Sequence, residues 1–181
     1  GLTFSVGIAV GSNGINVAHE LGHRNTRWEK TLAKILLLPA LYMHFYIEHN
    51  FGHHLKAATA EDPASAKYNQ TVYSFWVTSI FRQYTSAWKI QLDLLKRENR
   101  SFFSIKNDML YYSLLQLAYI GIIFNFFGMV AAGIALAIGL TSAVLLETIN
   151  YIEHYGLSRN RLESGRTTKR LKNTRYSIIM M

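Results

Sequence analysis

The chain has 181 residues, half of them apolar, with only 17% charged and a formal net charge of +8. The lack of cysteine excludes disulfides, thiolate-held zinc and iron–sulfur clusters, so any metal must be held by nitrogen and oxygen. A charged fraction below the roughly 25% of soluble proteins points to lipid. The Lys and Arg flank apolar runs, as in cytoplasmic juxtamembrane loops, and match no nucleic-acid recognition motif.

In chain order, residues 1–18 carry no charge and are rich in small residues, which predicts a closely packed membrane helix. The opening "GLTFSVGIAV" reads like the inside of a helix, with neither an initiating methionine nor a basic leader, so a fragment is expected. "ILLLPALYMHFY", residues 35–46, is too short to span a bilayer and contains Pro39; a re-entrant or interfacial segment is expected. Residues 50–108 are polar and basic and read as a cytoplasmic helical region. "EDPAS" makes a turn there, and Phe75, Trp76, Phe81, Tyr84 and Trp88 lie on apolar helix faces.

No charge interrupts residues 109–146, nearly twice the roughly 20 residues of a membrane helix. Residues 109–150 are therefore read as a membrane hairpin, Met109–Phe127 out and Met129–Asn150 back, with Asn125 and Gly128 at the turn. Residues 158–181 form a basic tail. The expected fold is all-α, with polytopic membrane helices and a histidine cluster on the cytoplasmic side, where all three histidine-bearing stretches end.

Six of the seven histidines fall in those stretches. "HELGH" places His19 and His23 one turn apart on a helix face, with Glu20 between them. "EHNFGHH" carries Glu48, His49, Asn50, His53 and His54, and "NYIEHYGL" carries Asn150, Glu153 and His154. Ionisable groups at membrane depth are costly and mark function, and a metal offsets the cost by binding neutral imidazole. "HELGH" alone fits the zinc-protease pattern, but a catalytic zinc needs only three protein ligands. Six histidines suit two metals, and imidazole serves iron, copper, zinc and nickel alike. His44 has no cluster partner and is read as structural.

"HELGHR", "FYIEHNFGHHLKAATAEDPAS" and "NYIEHYGL" with a hairpin before it together resemble the membrane-bound alkane 1-monooxygenases, from the first helix to about Gly165. The resemblance implies a non-haem di-iron enzyme of a bacterial inner membrane. It would hydroxylate the terminal carbon of alkanes with O2, taking electrons from rubredoxin and its reductase. The implied iron ligands are His19, His23, His49, His53, His54 and His154. Glu20, Glu48, Asn50, Asn150 and Glu153 are expected to orient those imidazoles through their second ring nitrogen.

The family carries a further box, roughly H-x-x-H-H, after "NYIEHYGL", whereas no histidine follows His154 here. A truncated or frame-shifted reading frame is expected, and the chain by itself is expected to turn over no substrate. The rival functions are a related histidine-box oxidase (xylene monooxygenase, epoxidase or lipid desaturase) and a non-catalytic remnant. An intramembrane zinc protease has the least support among the metal readings.

Overall fold

The computed structural model describes residues 1–59, 61–158 and 172–173. Among these the chain is helical, apart from an antiparallel pair joining Leu157–Ser158 to Lys172–Asn173. The rest of the basic tail expected over residues 158–181 lies outside the described residues.

The first helical run is longer than its uncharged sequence. Helix α1 (Leu2–Ala9) passes through a π-helical turn (Val10–Gly14) into α2 (Ile15–Gly22), which carries His19 beyond the apolar stretch. The turn falls on Val-Gly-Ser-Asn-Gly, whose residues hold regular α-helix weakly. Gly7 lets this run approach α7 closely: a Cβ there would stand 2.6 Å from that of Thr141, and buried Ser142 donates to the Gly7 carbonyl at 2.9 Å.

The stretch expected as one segment, residues 35–46, is divided. Helix α3 (Arg27–Leu37) starts eight residues earlier than the apolar run, because Arg27, Glu29, Lys30 and Lys34 share a helix whose Ala33 and Leu37 are buried. Pro39 cannot extend its hydrogen-bond ladder. A turn follows, with Leu41 at φ 52°, and α4 (Phe45–Glu48) begins. Ala40, Tyr42, Met43, His44 and Phe45 are all buried at the centre of the bundle. Irregular backbone at such a depth needs a protein environment, and here it has one.

A second π-helical turn (His49–His53) leads from α4 to the single-turn α5 (His54–Lys56). Helix α6 (Val72–Arg97) buries Phe75, Ser79, Gln83, Ala87, Gln91 and Leu95, six positions at a spacing of four that trace one stripe. Its aromatics divide: Phe75 faces inward, Trp76 donates to Thr148 Oγ1 at 3.0 Å, Trp88 stacks on Phe102, and Phe81 points outward. Helix α7 (Asp108–His154) is capped by Asn107 Oδ1, which accepts from the Leu110 amide at 3.1 Å.

Gly128 interrupts α7 with φ 79° and ψ −178°, a conformation that favours a residue without Cβ. The two arms fold back on each other: Leu117 and Ile120 of the first border the same cavity as Leu136 of the second. The helix is long and apolar enough to cross a membrane, with a mean hydropathy of 2.3 in its most apolar stretch. Its tip is bare, Phe126, Phe127, Met129 and Val130 each being at least 74% exposed.

Candidate metal centre

Four imidazoles converge where α2 meets the second π turn. One ring nitrogen each of His19, His23, His49 and His54 lies within 4.8 Å of the others. His23 Nε2 is 3.1 Å from His19 Nε2 and 3.4 Å from His54 Nε2. The first pair follows from its spacing of four on α2. The second box needs more than spacing. On an α-helix His54 would point about 140° away from His49, at ~100° per residue. The π turn, bonded i to i+5, underwinds the path and returns His54 to the side of His49, their ring centroids 4.4 Å apart.

His53 and His154 form an adjoining pair, with centroids 4.8 Å apart; His53 is also 5.5 Å from His49. All six histidines of the three stretches therefore lie in one continuous group, although they come from opposite ends of the chain. His44 stands apart, buried, with its ring 4.2 Å from that of Tyr42 and 5.3 Å from that of Tyr84.

The residues expected to orient these rings are only partly in position. Glu20 faces His19 Nδ1 at 3.4 Å, and Glu153 reaches His154 Nε2 at 4.0 Å. Asn50 instead donates to the Tyr46 carbonyl at 2.7 Å, and Asn150 to Glu147 at 3.3 Å, because each amide finds a partner one turn back on its own helix. Glu48 is buried behind Gly52, with Ser86 Oγ at 3.5 Å. Burial, then the charge of Asp62, pushes Glu48 up to about 7.

The orienting carboxylate that sequence reasoning missed is Asp62. His53 Nδ1 lies 3.0 Å from Asp62 Oδ2, which leaves Nε2 for a metal. Asp62 is itself held by the Ala64 amide at 3.1 Å and by Ser65. Burial opposes the charged form of both partners, yet their hydrogen bond and mutual attraction raise the His53 pKa and lower that of Asp62. Its sequence signal is the carboxylate inside the turn "EDPAS".

A second missed group is Glu147, fully buried on the face of α7 that meets α6. It accepts from Tyr42 Oη at 2.9 Å, Ser79 Oγ at 2.6 Å and Gln83 Nε2 at 2.8 Å. Its four donors, counting Asn150, join the second arm of α7 to α6 and to the turn before α4.

These observations identify the kind of protein. The profile of the Fatty acid desaturase family matches residues 1–179. The chain belongs to that family. It is 40% identical over 163 residues to the alkane 1-monooxygenase of Acinetobacter baylyi, covering 88% of this chain and 40% of that protein. It is 37% identical over 171 residues to the alkane 1-monooxygenase of Ectopseudomonas oleovorans, covering 91% and 41%. The xylene/toluene monooxygenase hydroxylase component of Pseudomonas putida is 29% identical over 150 residues, covering 80% and 39%. The chain thus spans about 40% of the length of the curated relatives it matches.

The donor set fits a metal. His49 Nε2 is buried and has no hydrogen-bond partner, a costly arrangement for a polar atom unless a ligand completes it. Burial, then the neighbouring imidazoles, pushes His49 down to about 2. His19 and His54 are lowered as well, by burial first and by His23 next. Neutral imidazole is the form that binds a metal. The exposed rings of His23 and His54 leave the outer side of the cluster open for further ligands.

Proposed function

We propose that this chain carries the histidine core of a membrane non-haem di-iron monooxygenase that hydroxylates alkanes at the terminal carbon, giving 1-alkanols from O2 and electrons delivered by rubredoxin. The observation that carries this reading is the convergence of His19, His23, His49 and His54 around the unpartnered Nε2 of His49. These four residues would hold one iron. His53 and His154, side by side at the edge of the cluster, would contribute to a second. Bound iron would supply the activation of O2, which no protein side chain performs.

The residues have separable tasks in this reading. Asp62 fixes the ring of His53, the Glu147 network fixes the end of α7 that carries His154, and Phe45, stacked 4.8 Å from His49, keeps one side of the cluster dry. Residues 1–18 and the two arms of residues 109–150 would cross a bacterial inner membrane as a multi-pass unit, with residues 50–108 on the cytoplasmic side. The bare apolar tip of α7 supports that placement, since each such side chain is worth roughly 1.5–3 kcal/mol when it leaves water.

The likeness to the xylene/toluene monooxygenase component favours a second reading, oxidation of an aryl methyl group at the same site. One experiment covers both. In a chimera, residues 1–158 replace the matching segment of the Acinetobacter baylyi alkane 1-monooxygenase, and membranes receive O2, rubredoxin and its reductase. Octane should give 1-octanol, and His49→Ala should abolish the product. A stably inserted, metal-loaded chimera that makes no alkanol refutes the proposal, and benzylic alcohol from xylene in its place establishes the second reading.

A further inference from the structure

We propose that the loop of residues 100–106, at the foot of the membrane hairpin, is a binding site for anionic phospholipid. The inference rests on the multi-pass reading for the depth of the loop and adds to it a lipid class and the residues that select it.

The loop holds large apolar side chains outward. Phe103 is 83% exposed and Ile105 79%. Its backbone is nevertheless fixed. The Ser104 amide donates to the Ser101 carbonyl at 3.1 Å, Asn107 Nδ2 to the Phe102 carbonyl at 2.8 Å, and Gln91 Nε2 to the Lys106 carbonyl at 2.9 Å. Phe102 stacks on Trp88 of α6, the two rings 9° from parallel. An ordered loop that presents such a patch marks a contact with a membrane or another molecule.

The height of the loop favours the membrane. Asn107 caps α7, so the loop adjoins the first residue of the first arm. From Asp108 to the turn at Gly128 that arm rises about 30 Å at ~1.5 Å per residue, the thickness of a hydrocarbon core. With the bare tip of the hairpin at one face of the bilayer, the loop stands among the headgroups of the other.

The charge of the loop names the lipid. Lys96, Arg97, Arg100 and Lys106 lie in or beside it with one acid, Glu98, and all five are exposed. Among the described residues none of the four cations is in an ion pair, whereas Asp108, just beyond, is held by Lys34 at 3.1 Å. Cations clustered at the end of a membrane helix attract anionic headgroups, and apolar side chains beside them enter the acyl boundary. A zwitterionic headgroup has no net charge to answer this cluster. The ligand is therefore a phospholipid of net negative charge, its phosphate at Arg100 and Lys106 and its acyl chains against Phe103 and Ile105.

The chain contains no cysteine, so Phe103→Cys and, separately, Phe126→Cys each take one bimane label. The labelled full chain is reconstituted in phosphatidylcholine nanodiscs with a trace of lipid carrying a nitroxide near the carbonyl end of its acyl chain. That lipid has either a phosphatidylglycerol or a phosphatidylcholine headgroup. At residue 103 the glycerol form should quench with an apparent affinity about fivefold higher for each cation engaged; at residue 126 the two forms should quench alike. Arg100→Gln combined with Lys106→Gln should remove the preference while quenching by the choline form persists. Both positions are exposed, and circular dichroism confirms that the variant is folded. Raised salt should weaken the preference. Equal quenching by the two forms at residue 103, a preference that survives the double substitution, or the same preference at residue 126 overturns the proposal. Quenching at residue 126 with none at residue 103 means that protein covers the loop, which overturns the lipid site and leaves the multi-pass reading standing. Quenching at neither position overturns both.

Discussion

The histidine cluster, open on its outer side, and the buried Glu147 network are two polar sites of the same bundle, and they are finished to different degrees. Around Glu147 both carboxylate oxygens accept from donors on Tyr42, Ser79, Gln83 and Asn150, and the one atom of the group without a partner is Gln83 Oε1. Around His49 the ring nitrogens gather within 4.8 Å of one another, and Nε2 has no partner at all. A satisfied network rigidifies a fold, whereas an unsatisfied one is high in energy until something binds. What marks the ligand site is the convergence of four rings on one point, since His44 Nε2 is likewise buried and unpartnered outside the cluster.

Breaking the network should have the largest effect. Glu147→Leu leaves four donors without their acceptor, and thermal unfolding in detergent should reveal a loss of about 3–5 kcal/mol, as for breaking a buried charged network. Metal binding at the four-histidine cluster should survive in the fraction that stays folded. Equal stability of the variant and the parent would make Glu147 a bystander.

The cluster should behave in the opposite way. His49→Ala removes an unpartnered atom, so helicity without metal should hold, while metal affinity falls by more than about a hundredfold, beyond the 10–100-fold typical of losing an outer orienting partner. Isothermal titration with Co(II) measures it.

Asp62→Asn sharpens the boundary between the two kinds of site and should cost about 10–100-fold in affinity. It also carries a pH signature in the metal-free chain. The raised pKa of His53 stabilises the fold below its ordinary 6.5, an effect lost as pH rises through the folded value. The lowered pKa of Asp62 stabilises above its ordinary 3.8, an effect lost as pH falls through the folded value. The destabilisation in Asp62→Asn should therefore be greatest between about pH 4 and 6.5 and fall away on either side, and unfolding curves across pH read it directly. A penalty independent of pH would mean that the pair is not ionised. The smallest effect belongs to the turn of α7, where Gly128→Ala should destabilise by about 1–2 kcal/mol through its positive φ.

Much of the site was legible in the letters. The spacing of four in "HELGH" and the density of "EHNFGHH" announce a metal cluster, and the matching family carries such boxes. The convergence of His54 with His49 was not legible, because it depends on a π turn and nothing in "HNFGH" signals one. Asp62 and Glu147 were hidden for a related reason: each acts on a partner distant in space or sequence, Glu147 on Tyr42 105 residues away. The helical class was plain from composition. The start of α3 was not, since the apolar run drew attention to residue 35 while Arg27, Glu29, Lys30 and Lys34 precede it on the same helix, Lys34 paired with Asp108 at 3.1 Å. The apolar run around Pro39 reads as a re-entrant or interfacial segment, and its neighbours are among the most buried residues of the bundle.

Co(II) spectroscopy on the purified chain tests the central claim most directly, with His23→Ala and His54→Ala as paired variants drawn from the two boxes. The account predicts one tightly bound Co(II) with a nitrogen-rich spectrum that both variants weaken to a similar degree. A spectrum unchanged by His54→Ala would contradict it, because the first box would then bind without the second.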